Sequence, residues 1–535
     1  MPDAVNSVGF PLLTIILFFP AAVGLAVLMV LEDVRTIRIV SAATAIIEFL
    51  LAAVLLAKFD IGAGGFLVRT PQWVFQFSDK HSWIPSLGIS YWIGVDGVSV
   101  FLVGLTALVL AIAILAATFM INDRVKAFMV FMLFLESAVV GVFVSLNLFL
   151  FYVFWEAMLI PMYFLLGMWG EERRQFATVK FIIYTIFGSF LMLVAIFYLW
   201  TQRGTLNMAG PGGLIAHPLA AGLQTWLFFA FTLAFAIKLP LWPFHSWAPD
   251  AYGAAPIPVV IPLAGILSKA GAFGLLRYSV ALFPHAAREF AALIAVLAIV
   301  GILYAAVLAL VQRDIKQIVA YSSISHMNLI ALGIFALNPI SFDGSVLQMI
   351  NHGVIMTGLF LAVAYIVART GSRSLTDMGG LGRRLPILMW LFFVFVLAAL
   401  DLPGLNSFTG EFLILVGVFK TNAWFAGIAA AVTILAAWYM IRFFQNSMNG
   451  PVVASPAAVA ETVESPERTV YQFPVARRLL PGDLLPREIA LFVPLILVIL
   501  YLGIQPNPVT TRLNPTTNSL SSTVHSASPP SGAKP

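Results

Sequence analysis

The chain has 535 residues, of which 61% are hydrophobic and only 10% charged, with a mean hydropathy of +0.98. Soluble domains carry about 25% charged residues, so these values exclude a soluble globule and predict an all-α polytopic membrane protein. The absence of Cys removes disulfides, thiolate metal sites and Cys-ligated iron–sulfur clusters. The net charge of +5 lies in short basic clusters between apolar runs, which is a signature of membrane topology rather than of nucleic-acid binding.

Apolar runs long enough to cross a bilayer predict fourteen spans, near 9–30, 39–57, 96–120, 127–147, 149–169, 177–200, 223–247, 256–281, 288–311, 318–336, 345–367, 387–419, 424–446 and 489–504. No basic n-region or small-residue cleavage site precedes the first run, so it is expected to stay as a membrane helix. The chain then divides into 1–126 (spans one to three, with an aromatic, Gly- and Pro-rich outer loop at 58–92), 127–281, 288–446, a linker at 447–487, a last span at 488–506 and a Ser/Thr/Pro-rich tail at 507–535 expected to be flexible. Arg35, Arg38, Arg124, Lys126, Arg173, Arg174, Arg313, Lys316, Arg369, Arg373, Arg383 and Arg384 all fall in loops on one side. That bias assigns this side to the inside and both termini to the outside.

Two spans carry proline interruptions in their middles. The seventh reads KLPLWPFH over 238–245 and the twelfth DLPGLN over 401–406. Proline removes a backbone donor and clashes with the preceding turn, so both helices are expected to break within the membrane. Pro240 and Pro403 are 163 residues apart, close to the offset between the spans that start near 127 and 288. The match predicts two five-span repeats, 127–281 and 288–446. Five is odd, so the second repeat lies inverted relative to the first. Broken helices at matching positions of inverted repeats point to an ion site in transporters.

Ionisable residues at bilayer depth are costly and therefore candidates for function. Glu156 has apolar neighbours throughout, and Lys238 at the first break is its natural partner. The two form either a static ion pair or a pair whose separation loads and unloads a proton. Lys269, next to Ser268 and followed by small residues, sits well inside its span. Lys180 lies nearer the inner end of its span and is either functional or a snorkelling side chain; Glu136, central in the fourth span, is either a lateral partner or structural. His326 and His352 on neighbouring spans suit a proton relay better than a hydrogen-bonded core role, and that better than a metal or haem site. His245 follows the first break and leads toward the inner side. Glu411 follows the second break, as a release site or as a cap at a half-helix N-terminus. No nucleotide-binding glycine pattern and no large soluble domain occurs, so the energy for moving protons must come from an ion gradient or a partner subunit.

The stretches FWEAMLIPMY at 154–163, AIKLPLWPFHSWAPDA at 236–251, SKAG at 268–271, DIK at 314–316, AYSSISHM at 320–327 and GEF at 410–412 resemble the antiporter-like membrane subunits of respiratory complex I and of multisubunit sodium/proton antiporters. Within that superfamily the chain is similar to the subunit M family of NADH–quinone oxidoreductase, relatives of mitochondrial subunit 4, because Glu411 stands where the L, N and antiporter subunits usually have lysine. The resemblance implies a fourteen-helix subunit without a redox cofactor or metal of its own. It also implies NADH, FMN, iron–sulfur clusters and quinone in partner subunits, with subunits L and N as neighbours in an energy-transducing membrane, the inner membrane of a bacterium. Protons would pass from the Glu156–Lys238 pair through Lys269 and His326 to Glu411. Membership of a sodium/proton antiporter or a membrane-bound hydrogenase complex is the alternative.

Overall fold

The computed structural model describes residues 8–60, 75–210, 212–216, 219–451 and 482–526. The fold is all-α apart from one hairpin. In chain order the helices are α1 (Leu12–Val30), α2 (Val34–Lys58), α3 (Ser99–Met120), α4 (Val125–Val144), α5 (Leu148–Trp169), α6 (Arg174–Arg203) and α7 (Ala221–Lys238). There follow α8 (Trp247–Ala254), α9 (Ile257–Val280), α10 (Pro284–Glu289), α11 (Ala291–Val311), α12 (Ile315–Phe335), α13 (Pro339–Thr370), α14 (Pro386–Ala399), α15 (Asn406–Thr421), α16 (Ala423–Met448), α17 (Pro486–Ile504) and α18 (Asn507–Ser526). Among the described residues thirteen helices are long and apolar enough to span a membrane, and the α14–α15 pair, too short in each half, supplies the fourteenth crossing.

Burial separates core from rim. In their most apolar windows α9 and α13 are 100% buried and α12 is 94% buried, whereas α1, α2, α16 and α17 are only 33% buried. Helices α9, α12 and α13 therefore form the inner layer, and the polar side chains within those windows are nearly all shielded by neighbouring helices. Small residues allow the close approach that van der Waals packing in a membrane requires. A Cβ at Gly271 of α9 would lie 2.5 Å from the backbone nitrogen of Leu239, and one at Gly353 of α13 would lie 2.7 Å from the carbonyl oxygen of Gly265.

Both expected breaks are present. Helix α7 stops at Lys238, and the chain runs irregularly to α8; α14 stops at Ala399 and resumes at Asn406. Non-helical backbone at this depth needs partners, and side chains from the inner layer supply them. Asn328 of α12 accepts from the Trp242 backbone N–H and donates to the Pro240 carbonyl, each at 3.2 Å. Asn351 of α13 donates to the Asn406 carbonyl at 2.7 Å, and Gln348 donates to the Ser407 hydroxyl at 2.8 Å.

The aromatic loop forms a hairpin, β1 (Gln76–Ile84) with β2 (Ile89–Val95). An ion pair of 2.6 Å between the buried Asp96 and Arg277 ties it to α9. The expectation of a flexible tail from Asn507 is corrected, since residues 507–526 form α18. Its Ser- and Thr-rich composition hides an apolar stripe, Val509, Leu513, Leu520 and Val524, at the three- and four-residue spacing that keeps one helix face dry. Thr517 donates at 2.7 Å to Asp343 of α13, and a Cβ at Gly97 would collide with the Arg512 carbonyl. Most of the expected 447–487 linker, residues 452–481, and Trp73 of the 58–92 loop lie outside the described residues.

A buried chain of titratable side chains between two helix breaks

The first break places Lys238 as the last residue of α7, 2% exposed. Its Nζ has no hydrogen-bond partner and lies 5.5 Å from the ring centre of Trp155 and 5.4 Å from that of Phe181. Glu156 acts on it through space rather than by direct contact. Aromatic rings flank the ammonium group, and the Tyr152 hydroxyl lies beside the Glu156 carboxylate. Glu156 and Lys238 thus do not form an ion pair in the structure.

Lys180 does not snorkel freely. Its Nζ donates at 2.8 Å to Asp250 and at 2.8 Å to the Ser246 carbonyl, which ties α6 to the start of α8. His245 lies in the same break, its ring 5.1 Å from that of Tyr304 and its Nδ1 without a partner. Below them Glu171 bridges Lys316 at 2.9 Å and Arg373 at 2.6 Å, and both cations also donate at 3.1 Å to the Gly253 carbonyl. These contacts clamp the end of α8. Lys316, expected in an inner loop, is 1% exposed.

The centre of the chain is direct. Helix α9 contains two π-helical stretches, Leu263–Leu267 and Leu275–Val280, on either side of Lys269. Widened turns of this kind occur often at functional sites. Lys269 Nζ donates at 2.7 Å to the Ala264 carbonyl and lies 2.6 Å from His352 Nδ1. The His352 ring is 5.7 Å from that of His326. Beyond it, single ligand atoms of His326, Asp401 and Glu411 all lie within 4.8 Å of one another. Thr433 of α16 donates at 2.8 Å to Glu411 Oε1. Lys269, His352, His326 and Glu411 are therefore brought together as one succession from α9 through α13 and α12 to α15.

Glu136 is fully buried on α4, away from this succession, and both its carboxylate oxygens and those of Glu48 on α2 lack hydrogen-bond partners. The two carboxylates act on each other, so Glu136, read from the sequence as either a lateral partner or a structural residue, has another acid beside it. Asp401 is the residue the sequence reading left without a role. It appeared only as the first letter of the second break, and its signal was available: an acid at mid-membrane depth beside a Pro-Gly turn.

The model of the NADH:quinone oxidoreductase/Mrp antiporter transmembrane family matches residues 145–436, which takes in both breaks and every residue of the succession. The chain belongs to this family. NADH-quinone oxidoreductase subunit M of Rickettsia prowazekii is 35% identical over 93% of this chain and 96% of its own length. The Rhodobacter capsulatus protein of the same name is 36% identical over 96% and 97%. Among solved structures, a chain of respiratory complex I from Thermus thermophilus with bound NADH superposes with a TM-score of 0.83 at 28% identity, covering 96% of this chain and 99% of that one. A chain of the Mrp complex from Dietzia sp. shares the fold, with a TM-score of 0.80 at 20% identity over 95% and 98%. Family membership places this chain among the membrane subunits of an oxidoreductase complex, and the antiporter-like helical architecture is common to its redox and antiporter branches.

Proposed function

We propose that this chain is the proton-translocating M subunit of an NADH–quinone oxidoreductase. It has no redox site of its own; NADH, FMN, iron–sulfur clusters and quinone belong to partner subunits, and quinone reduction there drives rearrangement here. The single observation that carries the reading is the buried succession Lys269, His352, His326, Glu411, which runs from α9 to the second break. A proton entering from the side of Arg173 and Arg373 would load Lys238 as Glu156 closes onto it, since a nearby carboxylate favours the charged ammonium; separation of the pair would release the proton toward Lys269, and the histidines would pass it to the carboxylates at the second break. The basic side is the cytoplasmic one by the positive-inside bias, which gives a bacterial inner membrane with both termini outside. Residues 127–281 and 288–446 act as the two inverted units, and subunits L and N flank the chain. Glu411 in place of lysine favours this reading over an antiporter subunit.

Reconstituted complex carrying Lys269→Ala tests it. The expected outcome is NADH-driven proton uptake into vesicles reduced by about 10-fold or more, the scale on which positioned acid–base groups act, with the complex still assembled. Unchanged pumping would leave these charges a structural role only.

A further inference from the structure

We propose that His326, Asp401 and Glu411 form a binding site for a divalent transition-metal ion, with Zn2+ the best match. One imidazole nitrogen and two carboxylates are a donor set that zinc accepts. The ligand atoms lie within 4.8 Å of one another. A tetrahedral zinc with bonds near 2.1 Å spaces its ligands about 3.4 Å apart, so the cluster would contract by at most about 1.4 Å, within reach of side-chain rotation.

Several independent features point to a ligand here. Asp401 is 7% exposed and Glu411 5% exposed, yet both oxygens of Asp401 and Oε2 of Glu411 have no hydrogen-bond partner. Thr433 holds the other Glu411 oxygen, as a supporting residue does for a metal-ligating carboxylate, and leaves Oε2 free. Asp401 also adopts φ of +59°, a left-handed conformation that glycine takes without strain. A buried acid left unpartnered calls for a proton or a cation. Two carboxylates and a neutral imidazole sum to the charge that a divalent cation neutralises, which suits a dry site. A cleft between α11, α12 and α16, lined by Ile302, Leu329, Ala429 and Thr433, reaches His326 and Glu411. Zinc bound there would occupy the lone pairs that a passing proton needs, a consequence that rests on the function proposed above, although the binding does not.

The test uses the assembled complex, stripped of loosely held metal, with Zn2+ itself as the probe and no turnover. Equilibrium dialysis compares the parent with Asp401→Gly, which relieves the backbone, and Asp401→Asn, which keeps the side-chain volume. X-ray absorption on the difference reports the ligands. We expect one zinc per complex whose affinity falls at least about 10-fold in both variants, the lower end of what even supporting-residue changes cost, with an imidazole and oxygen shell lost alongside. No zinc, or zinc held equally by both variants, overturns the proposal. Because binding is read without pumping, a complex that binds zinc but moves no protons would refute the function and leave the site standing, and the reverse result would do the opposite.

Discussion

At the first break a helix ends on Lys238, whose ammonium group lies among aromatic rings without a hydrogen bond. At the second, two carboxylates stand together with an imidazole beside them and a hydroxyl donating to one. The two breaks share a scaffold: a proline interrupts each helix, and an inner-layer asparagine, Asn328 or Asn351, satisfies the exposed backbone. Their chemistry is opposite. A lone buried cation gains most from a carboxylate that approaches it, whereas a carboxylate pair gains most from a proton or cation that arrives. On the function proposed above, this difference would give the path its direction. Between them the centre carries two histidines, a side chain that can both accept and donate a proton.

The largest effect expected from breaking this contrast comes from removing the cation at the first break. Lys238→Ala should lower proton pumping by about 10-fold or more, and Lys238→Arg should not restore it, since a guanidinium stays protonated; vesicle pumping assays of the two variants decide this. Next, His352→Ala removes the direct contact between Lys269 and His352, and a comparable loss of pumping is expected while electron transfer from NADH to an artificial acceptor stays unchanged. Asn328→Leu and Asn351→Leu test the shared scaffold. Each leaves backbone groups of a break unpaired, at about 1–3 kcal/mol, so both should lower the thermal unfolding temperature of the complex by similar amounts. A much larger drop for one would show that the breaks are not equivalent supports. The smallest effect belongs to Thr433→Val, which removes one hydrogen bond to Glu411, worth about 1 kcal/mol; a pumping rate reduced a few-fold or less would match.

Much of this was legible in the residues. The long apolar runs gave all fourteen crossings, because hydropathy at this length reflects the bilayer itself. The prolines at 240 and 403 marked both breaks for an equally local reason, the missing N–H. The C-terminal helix was misread because Ser and Thr dominate its composition while its fold follows the spacing of Val509, Leu513, Leu520 and Val524. That Glu136 faces Glu48 was not legible, because the two helices are far apart in the chain and nothing in either span announces the other.

Sequence alone thus determined the class, the number of crossings, the positions of the breaks and the presence of charges at membrane depth, since each depends on a residue and its near neighbours in the chain. Packing decided which of those charges meet. Lys269 touches His352, 83 residues away, while Lys238 makes no hydrogen bond and lies beside the rings of Trp155 and Phe181. Asp401 joins Glu411 and His326 only once α12 and α15 lie side by side. Contacts of this kind are set by how buried helices fill space together, and no single span encodes them.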